Sequence, residues 1–160
     1  MLYEILDAID RVKPFQRVKA HCDIPCGIYD PIFSQVAALT VIRMDDMIHD
    51  AEEKGRTDTV ARCIRNKEEH AERCKHEVRI LFGDYFKPEH IEHYPEIPNL
   101  AFSIMKSASQ CKQNIDREKS LDLLKQVNRL AEIFWTTKNK KTKTVKAPYE
   151  VQEEIVLPVL

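Results

Sequence analysis

Residues 30–55 read DPIFSQVAALTVIRMDDMIHDAEEKG and predict a long helix with a marked start and end. Asp30 suits the N-cap position, and Pro31 suits the first helical position because its missing N–H would have no partner there. Gly55 is typical of a residue that follows a helix. Apolar residues recur every three or four positions between them and predict one buried face: Phe33, Val36, Ala37, Val41, Met44, Met47, Ile48, Ala51.

A second helix is predicted to begin at Thr57 or Asp58 and to run to Phe82, with Gly83 closing it. Its apolar residues again recur at helical spacing. Three cysteines fall on the apolar stripes of this helix and of the next one, so we expect them to be small core residues: Cys63, Cys74, Cys111.

Two more helices follow, one beginning near Pro98 and one capped by Asp116. Four helices with short connections predict an all-α fold, an antiparallel up-down four-helix bundle. After Lys138 the chain becomes rich in lysine and then in glutamate, and we expect residues 139–160 to be a mobile tail.

Composition narrows the class of protein. The chain has 160 residues, 43% of them hydrophobic, which suits one compact domain. Charged residues make up 32% but nearly cancel to a net charge of −1, so nucleic acid is not an expected partner. No run is long and apolar enough to predict a membrane span. The five cysteines, an odd number without a secretory signal, favour reduced thiols in the cytoplasm.

Upstream of the first helix lies the hook segment, residues 21–31, which reads HCDIPCGIYDP. Pro25 and Gly27 disfavour a helix there, so we expect a tight loop. If the chain were cut between Ala20 and His21, the new amine, the amide nitrogen of Cys22 and the thiolates of Cys22 and Cys26 would surround a square plane. The His21 ring would add an axial nitrogen. Such nitrogen and sulfur ligands favour nickel or copper over zinc.

At these residues the sequence resembles the nickel-dependent superoxide dismutases. The hook segment matches the family pattern His-Cys-Asp-x-Pro-Cys-Gly-x-Tyr, and residues 84–88 match the family motif Asp-Tyr-Phe-Lys-Pro. Tyr94-Pro95-Glu96 and Ile133-Phe134-Trp135 are also similar. The resemblance extends from about His21 to Lys138.

The resemblance implies a bundle that assembles as a homohexamer and converts superoxide to dioxygen and hydrogen peroxide with nickel. By resemblance, the metal ligands are the amine and ring of His21, the amide nitrogen and sulfur of Cys22, and the sulfur of Cys26. Tyr29 would stand beside the open coordination face of the metal. Other residues would support the site, Asp23 and Pro25 by shaping the loop, Tyr85 by hydrogen bonding and Lys87 by attracting the anion.

The chain departs from the family at two positions. Many members orient the axial imidazole through a Glu on the first helix and an Arg on the second. Alignment by the two motifs places Ala37 and His70 there. Because such supporting groups tune a metal, the departure puts the redox tuning in doubt.

Residues 1–20 allow two interpretations. Apolar residues at helical spacing predict an ordinary amphipathic helix: Leu2, Ile5, Leu6, Ile9, Val12. The resemblance instead implies a leader that a protease removes just before His21. An export signal is disfavoured because Glu4, Asp7 and Asp10 interrupt the apolar residues.

The two hook cysteines also allow a rival function. Cys22 and Cys26 can hold zinc or form a redox disulfide in a metal-binding or thiol-redox helical module without turnover. That chemistry works with residues 1–20 attached, whereas an amine ligand requires their removal.

Overall fold

A computed structural model of the chain describes residues 26–159. This part of the chain is mostly helical, with one small sheet. Its helices are α1 (Ile32–Glu53), α2 (Thr57–Ile80), α3 (Pro88–His93), α4 (Ile97–Gln113) and α5 (Arg117–Thr137). Within residues 26–159, each helix is too short or too polar to cross a membrane.

The helix boundaries follow the local signals closely. The Asp30 carboxylate accepts a hydrogen bond from the Ile32 N–H at 2.8 Å, and Asp116 accepts from the N–H groups of Glu118 and Lys119. The capping role of Asp116 is therefore confirmed, whereas α1 begins at Ile32, one residue later than predicted, with Pro31 at its N-cap. Gly55 adopts a positive φ of 63° after α1, a conformation that is strained for residues with a side chain.

One predicted boundary is wrong. Gly83 does not end the second helix, because the chain continues from Ile80 into a π-helical turn, Leu81–Tyr85. The Phe86 N–H donates to the Leu81 carbonyl oxygen at 3.0 Å and closes this wider turn. The continuation decides where Tyr85 lies.

The four long helices enclose one core. Helix α1 packs against α2 and α5, and α4 packs against the same two helices. Each long helix contributes side chains that are completely buried, among them Ile42, Val78, Ile104, Leu123 and Phe134. Burying one such side chain stabilises a fold by about 1.5–3 kcal/mol. Cys63, Cys74 and Cys111 are all buried, which confirms their predicted place in the core.

The buried face of α1 is only partly the predicted one. Phe33 and Val36 are 59% and 37% exposed, whereas Leu39 and Ile42 are buried. The sequence of α1 is apolar on more than one side, so its periodicity does not select a single face. The neighbouring helices select the face, and they also bury Asp45, which no hydrophobic pattern includes.

The prediction that residues 139–160 form a mobile tail is wrong. Residues after Lys138 form an antiparallel hairpin of β1 (Thr142–Lys146) and β2 (Glu154–Pro158), with Thr142 opposite Pro158. Ala147 and Ile155 are buried in the common core. The all-α prediction was therefore wrong for this segment. Alternation of apolar and polar residues in strands this short is too weak a signal to reveal a hairpin.

Side-chain amides attach the hairpin to the helices. The Gln35 side chain donates to the Val156 carbonyl oxygen at 3.0 Å, and the Asn128 side chain donates to the Glu154 carbonyl oxygen at 2.8 Å. These bonds satisfy backbone groups along the outer edge of β2. An unpaired strand edge is thereby covered by α1 and α5.

A buried ion pair joins three parts of the core. The Lys67 ammonium on α2 contacts the Asp45 carboxylate on α1, and both side chains are almost completely buried. The Asn114 carbonyl oxygen accepts a second bond from Lys67. The other Asp45 oxygen accepts from the Ser120 hydroxyl on α5 at 2.5 Å. Charges taken out of water are tolerated in proteins when they are paired and hydrogen-bonded in this way.

We predict that Lys67→Met destabilises the fold by about 3–5 kcal/mol, because it leaves the buried Asp45 carboxylate without its cation. Urea unfolding measures the free energy of unfolding. Lys125→Met, which removes an exposed ammonium, is the matched control and should change it little. Replacing both partners, in Asp45→Leu/Lys67→Met, should recover most of the loss. A single Lys67→Met variant as stable as the control would contradict this account of the core.

Candidate functional site

The structure describes only the end of the hook segment. Cys26 is exposed, and the Ile28 N–H donates to its sulfur at 3.4 Å. Gly27 has a positive φ of 70°, so the turn after Cys26 needs a residue without a side chain. The other predicted hook residues lie outside the described range: His21, Cys22, Asp23, Pro25.

The hook segment and the motif at residues 84–88 contact each other through their tyrosine rings. The rings of Tyr29 and Tyr85 lie 5.6 Å apart between centroids, tilted at 53°. Tyr85 also packs against Phe134 of α5 at 4.4 Å and stacks on His90 of α3 at 5.5 Å. The Tyr85 ring therefore connects the end of the hook segment to two helices.

Hydrogen bonds fix the orientation of the Tyr85 side chain. Its hydroxyl lies 2.7 Å from the Thr137 hydroxyl, which itself donates to the Phe134 carbonyl oxygen at 2.7 Å. Since the only Thr137 proton is used there, Tyr85 is the donor to Thr137. Partial burial raises the pKa of the Tyr85 phenol above its ordinary value, so the phenol keeps its proton at neutral pH.

Next to these rings is an open cavity of about 600 Å³, the tyrosine cavity, which is lined by Gly27, Tyr29, Asp84, Tyr85, Lys87, His90, Lys138 and Lys140. Three of its lining residues are lysines and one is an acid. The Lys138 ammonium lies 5.4 Å from the centroid of the Tyr85 ring, within the range of a cation–π interaction. The excess of positive charge favours a small anion as the molecule that enters.

Sequence reasoning identified Tyr29, Tyr85 and Lys87 and missed His90, Lys138 and Lys140. The His90 Nδ1 atom accepts from the Lys87 N–H at 3.2 Å, which places its ring beside Tyr85 at the start of α3. The proximity of Lys87 and His90 in sequence was a usable signal. The two lysines after α5 carried no such signal in the sequence, because a basic run at a helix end is usually only solvated.

His70 lies in a different cavity, of about 400 Å³, together with Ala37 and five other residues: Ile32, Phe33, Val36, Arg73, Glu77. The structure thus brings Ala37 and His70 together, as the alignment predicts, but not at the tyrosine cavity. The His70 Nδ1 atom is buried and has no hydrogen-bond partner within residues 26–159. Burial, assisted by the charge of Arg73, lowers the pKa of His70, so its ring is neutral at neutral pH.

The described part of the chain offers no alternative metal centre. Within it, no three His, Cys, Asp or Glu side chains are grouped so that they could hold a metal ion. Burial raises the pKa of the Cys74 thiol to about 12 and also raises that of Cys111, so both stay protonated and are poor ligands. Cys26 differs from them because it is exposed and directly precedes Gly27, which lines the tyrosine cavity.

Comparison with known proteins gives a consistent result. Residues 16–138 match the family model described as nickel-containing superoxide dismutase. The chain is 38% identical over 128 residues to a superoxide dismutase [Ni] of Streptomyces coelicolor, covering 78% of this chain and 93% of that protein. It is 37% identical over 131 residues to the corresponding protein of Streptomyces seoulensis, with the same coverage.

Solved structures show the same similarity in three dimensions. A native nickel superoxide dismutase structure is 35% identical and superposes with a TM-score of 0.68, covering 74% of this chain and 99% of that one. A structure of the oxidised state has 34% identity, a TM-score of 0.69 and the same coverage. The family match ends at Lys138, immediately before the hairpin segment.

Proposed function

This chain belongs to the nickel-containing superoxide dismutase family, and we propose that its hook segment and tyrosine cavity together form the active site. The protein is an oxidoreductase that converts superoxide to dioxygen and hydrogen peroxide with nickel as its cofactor. The observation that carries the site assignment is the contact of Tyr29, three residues after Cys26, with Tyr85 of the second motif.

The donors that remain accessible fit nickel. Of the four cysteines in the described range only Cys26 is exposed, and it directly precedes the cavity. The groups that would hold the metal are the His21 amine and ring, the Cys22 amide nitrogen and sulfur, and the Cys26 sulfur, a set of nitrogen and thiolate donors that suits nickel. Bound nickel supplies one-electron exchange between its divalent and trivalent states.

The residues around the cavity order the substrate, hold one another in position and attract the anion. Tyr29 limits the space beside Cys26 and offers a phenol that orders a small molecule there. Tyr85 cannot turn toward that molecule while its hydroxyl is bonded to Thr137, so it acts by holding the Tyr29 ring. Lys87 adds positive potential that draws in the superoxide anion. Asp23 and Pro25 shape the loop that carries the ligands.

We also propose the topology of the helices, the processing of the chain and its assembly. The cyclic packing of the four long helices and their short connections support an up-down four-helix bundle with an N-terminal hook. We propose that a protease removes residues 1–20 and that the cytoplasmic enzyme is a homohexamer. Exposed apolar side chains near the hook provide surface for such assembly: Ile28, Phe33, Val36.

His70 is proposed to orient the His21 ring in place of the carboxylate that many relatives use. Its buried Nδ1 atom lacks a partner among the described residues, and Ala37 leaves space beside it. A neutral imidazole is able to donate or to accept one hydrogen bond. The metal would then be tuned by a neutral group instead of a charged one.

The first prediction for this site concerns the two thiolates. Cys22→Ser or Cys26→Ser should abolish dismutase activity, because a hydroxyl cannot replace the anionic soft donor that stabilises trivalent nickel. Superoxide decay is measured on purified protein that starts at His21. Cys63→Ser is the matched control, and since Cys63 is buried in the core it should alter stability rather than activity per folded molecule. Substantial activity in either hook variant would exclude this ligand set.

The second prediction concerns His70. His70→Ala should leave the nickel content unchanged while altering the electron paramagnetic resonance signal of trivalent nickel, because the His21 ring would lose its orienting partner. His76→Ala, an exposed position on the same helix, should leave the signal as it is. If the His70 variant retains both the spectrum and the activity, His70 does not position the ligand.

The third prediction is that cleavage before His21 activates the enzyme. In the uncut chain the His21 nitrogen is an amide and a poor donor, whereas cleavage produces an α-amine with an ordinary pKa of about 8 that binds metal once deprotonated. Three nickel-treated chains are compared in superoxide decay, starting at Met1, at His21, and at an alanine added before His21. Only the chain that starts at His21 should be active. Equal rates in all three would show that the amine is not a ligand.

A further inference from the structure

The end of α5 carries a tightly defined turn. Asn139 has a positive φ of 57°, the Asn139 N–H donates to the Thr136 carbonyl oxygen at 2.9 Å, and the Lys140 N–H donates to the Trp135 carbonyl oxygen at 3.0 Å. This pair of bonds is the Schellman motif, in which a left-handed residue reverses the chain direction at a helix end. The motif sets the direction in which the backbone of Lys140 leaves the helix.

The hairpin fixes the backbone immediately after Lys140. The Val159 N–H donates to the Lys141 carbonyl oxygen at 2.8 Å, one residue beyond the last hydrogen bond of the helix end. Because Ile155 and Ala147 are buried in the core, the hairpin itself is firmly attached. Lys140 is therefore placed by two ordered elements, although its side chain is exposed.

Lys140, which lies outside the family match, adds a positive charge to the tyrosine cavity. It lines the cavity with Lys87 and Lys138, and within residues 26–159 none of these three ammonium groups forms an ion pair. The Lys138 ammonium lies over the rings of Tyr85 and Phe134, at 5.4 Å and 5.0 Å from their centroids. Lys140 makes no such ring contact among the described residues, so its charge faces the cavity and the solvent.

We propose that Lys140, held in place by the C-terminal hairpin, is an additional residue that guides superoxide into the active site. The inference rests on the proposed function of the tyrosine cavity and deepens it. A positive charge at the mouth of a cavity raises the local concentration of an anion and its rate of encounter. For superoxide dismutases this matters because encounter with the substrate can limit the reaction. The role of the hairpin would then be to position the backbone of Lys140 beside the cavity.

The test compares Lys140 variants of the nickel-loaded chain that starts at His21. At an ionic strength of about 10 mM, where charges act over about 30 Å, Lys140→Gln should lower kcat/KM about twofold and Lys140→Glu about fourfold. Lys140→Arg should keep the parent value. At about 1 M salt, where the range falls to about 3 Å, the four proteins should converge.

The matched control is Lys125→Gln, which removes the same charge from an exposed position on α5. It lies 13 residues before Lys138, about 20 Å along the helix, and should lower kcat/KM clearly less than Lys140→Gln does, because its charge is farther from the cavity. Equal values for the parent and Lys140→Glu at low salt would overturn the proposal. So would an equal decrease in the Lys125 variant, because the effect would then follow net charge instead of position.

A second readout does not depend on turnover. Azide, a small monoanion, is titrated with and without nickel while the ring signals of Tyr29 and Tyr85 are followed by NMR. At low salt, Lys140→Gln should raise the apparent Kd about twofold, and an unchanged Kd would contradict the proposal. A parent chain that fails to consume superoxide but still binds azide in a Lys140-dependent way would refute the proposed function, and Lys140 would then be an anion-attracting residue of the cavity and not a guide for superoxide.

Discussion

The contact between the rings of Tyr85 and Phe134, 4.4 Å apart, is the interaction on which the geometry of the site depends. Phe134 is completely buried in the core, so it gives Tyr85 a fixed platform. Tyr85 in turn holds Tyr29 and bonds to Thr137, which ties the end of the hook segment to the end of α5. A metal loop made of small and polar residues has little core of its own, and this aromatic contact supplies a rigid surface against which it can be held.

The π-helical turn is what brings Tyr85 to that platform. An ordinary helix end at Gly83 would leave the second motif block on a flexible connection. Continuing the helix by the wider turn to Tyr85 rotates the following side chains and directs the chain toward α3. Lys87 and His90 then close the other side of the cavity, and the Lys87 N–H to His90 Nδ1 bond fixes their relative positions. One local irregularity therefore positions three lining residues.

The interior polar groups stabilise one arrangement of the helices over others. Asp45 and Lys67 must meet each other and Ser120, so a shift of α1 along α2 would leave a buried charge unpaired. Gln35 and Asn128 act in the same way for the hairpin, since their amides satisfy the strand edge at fixed places. The hairpin lies beyond the family match, yet it uses bonds from α1 and α5. The extension is thereby integrated with the helices and reaches the tyrosine cavity at Lys140.

The sequence by itself determined the features that depend on neighbouring residues. The start of α1 beside Asp30, the helix cap at Asp116, the turn at Gly55 and the density of metal-binding groups in residues 21–31 are local, because each needs only a few adjacent residues. The buried face of α1, the continuation of α2 past Gly83 and the hairpin after Lys138 were decided by the tertiary structure. In each of these cases the local preference is weak or ambiguous, and contacts between residues far apart in sequence supply the energy that selects one outcome. The same holds for the cavity, since Lys138 and Lys140 line it with Tyr29 and Tyr85 only because the fold brings these parts of the chain together.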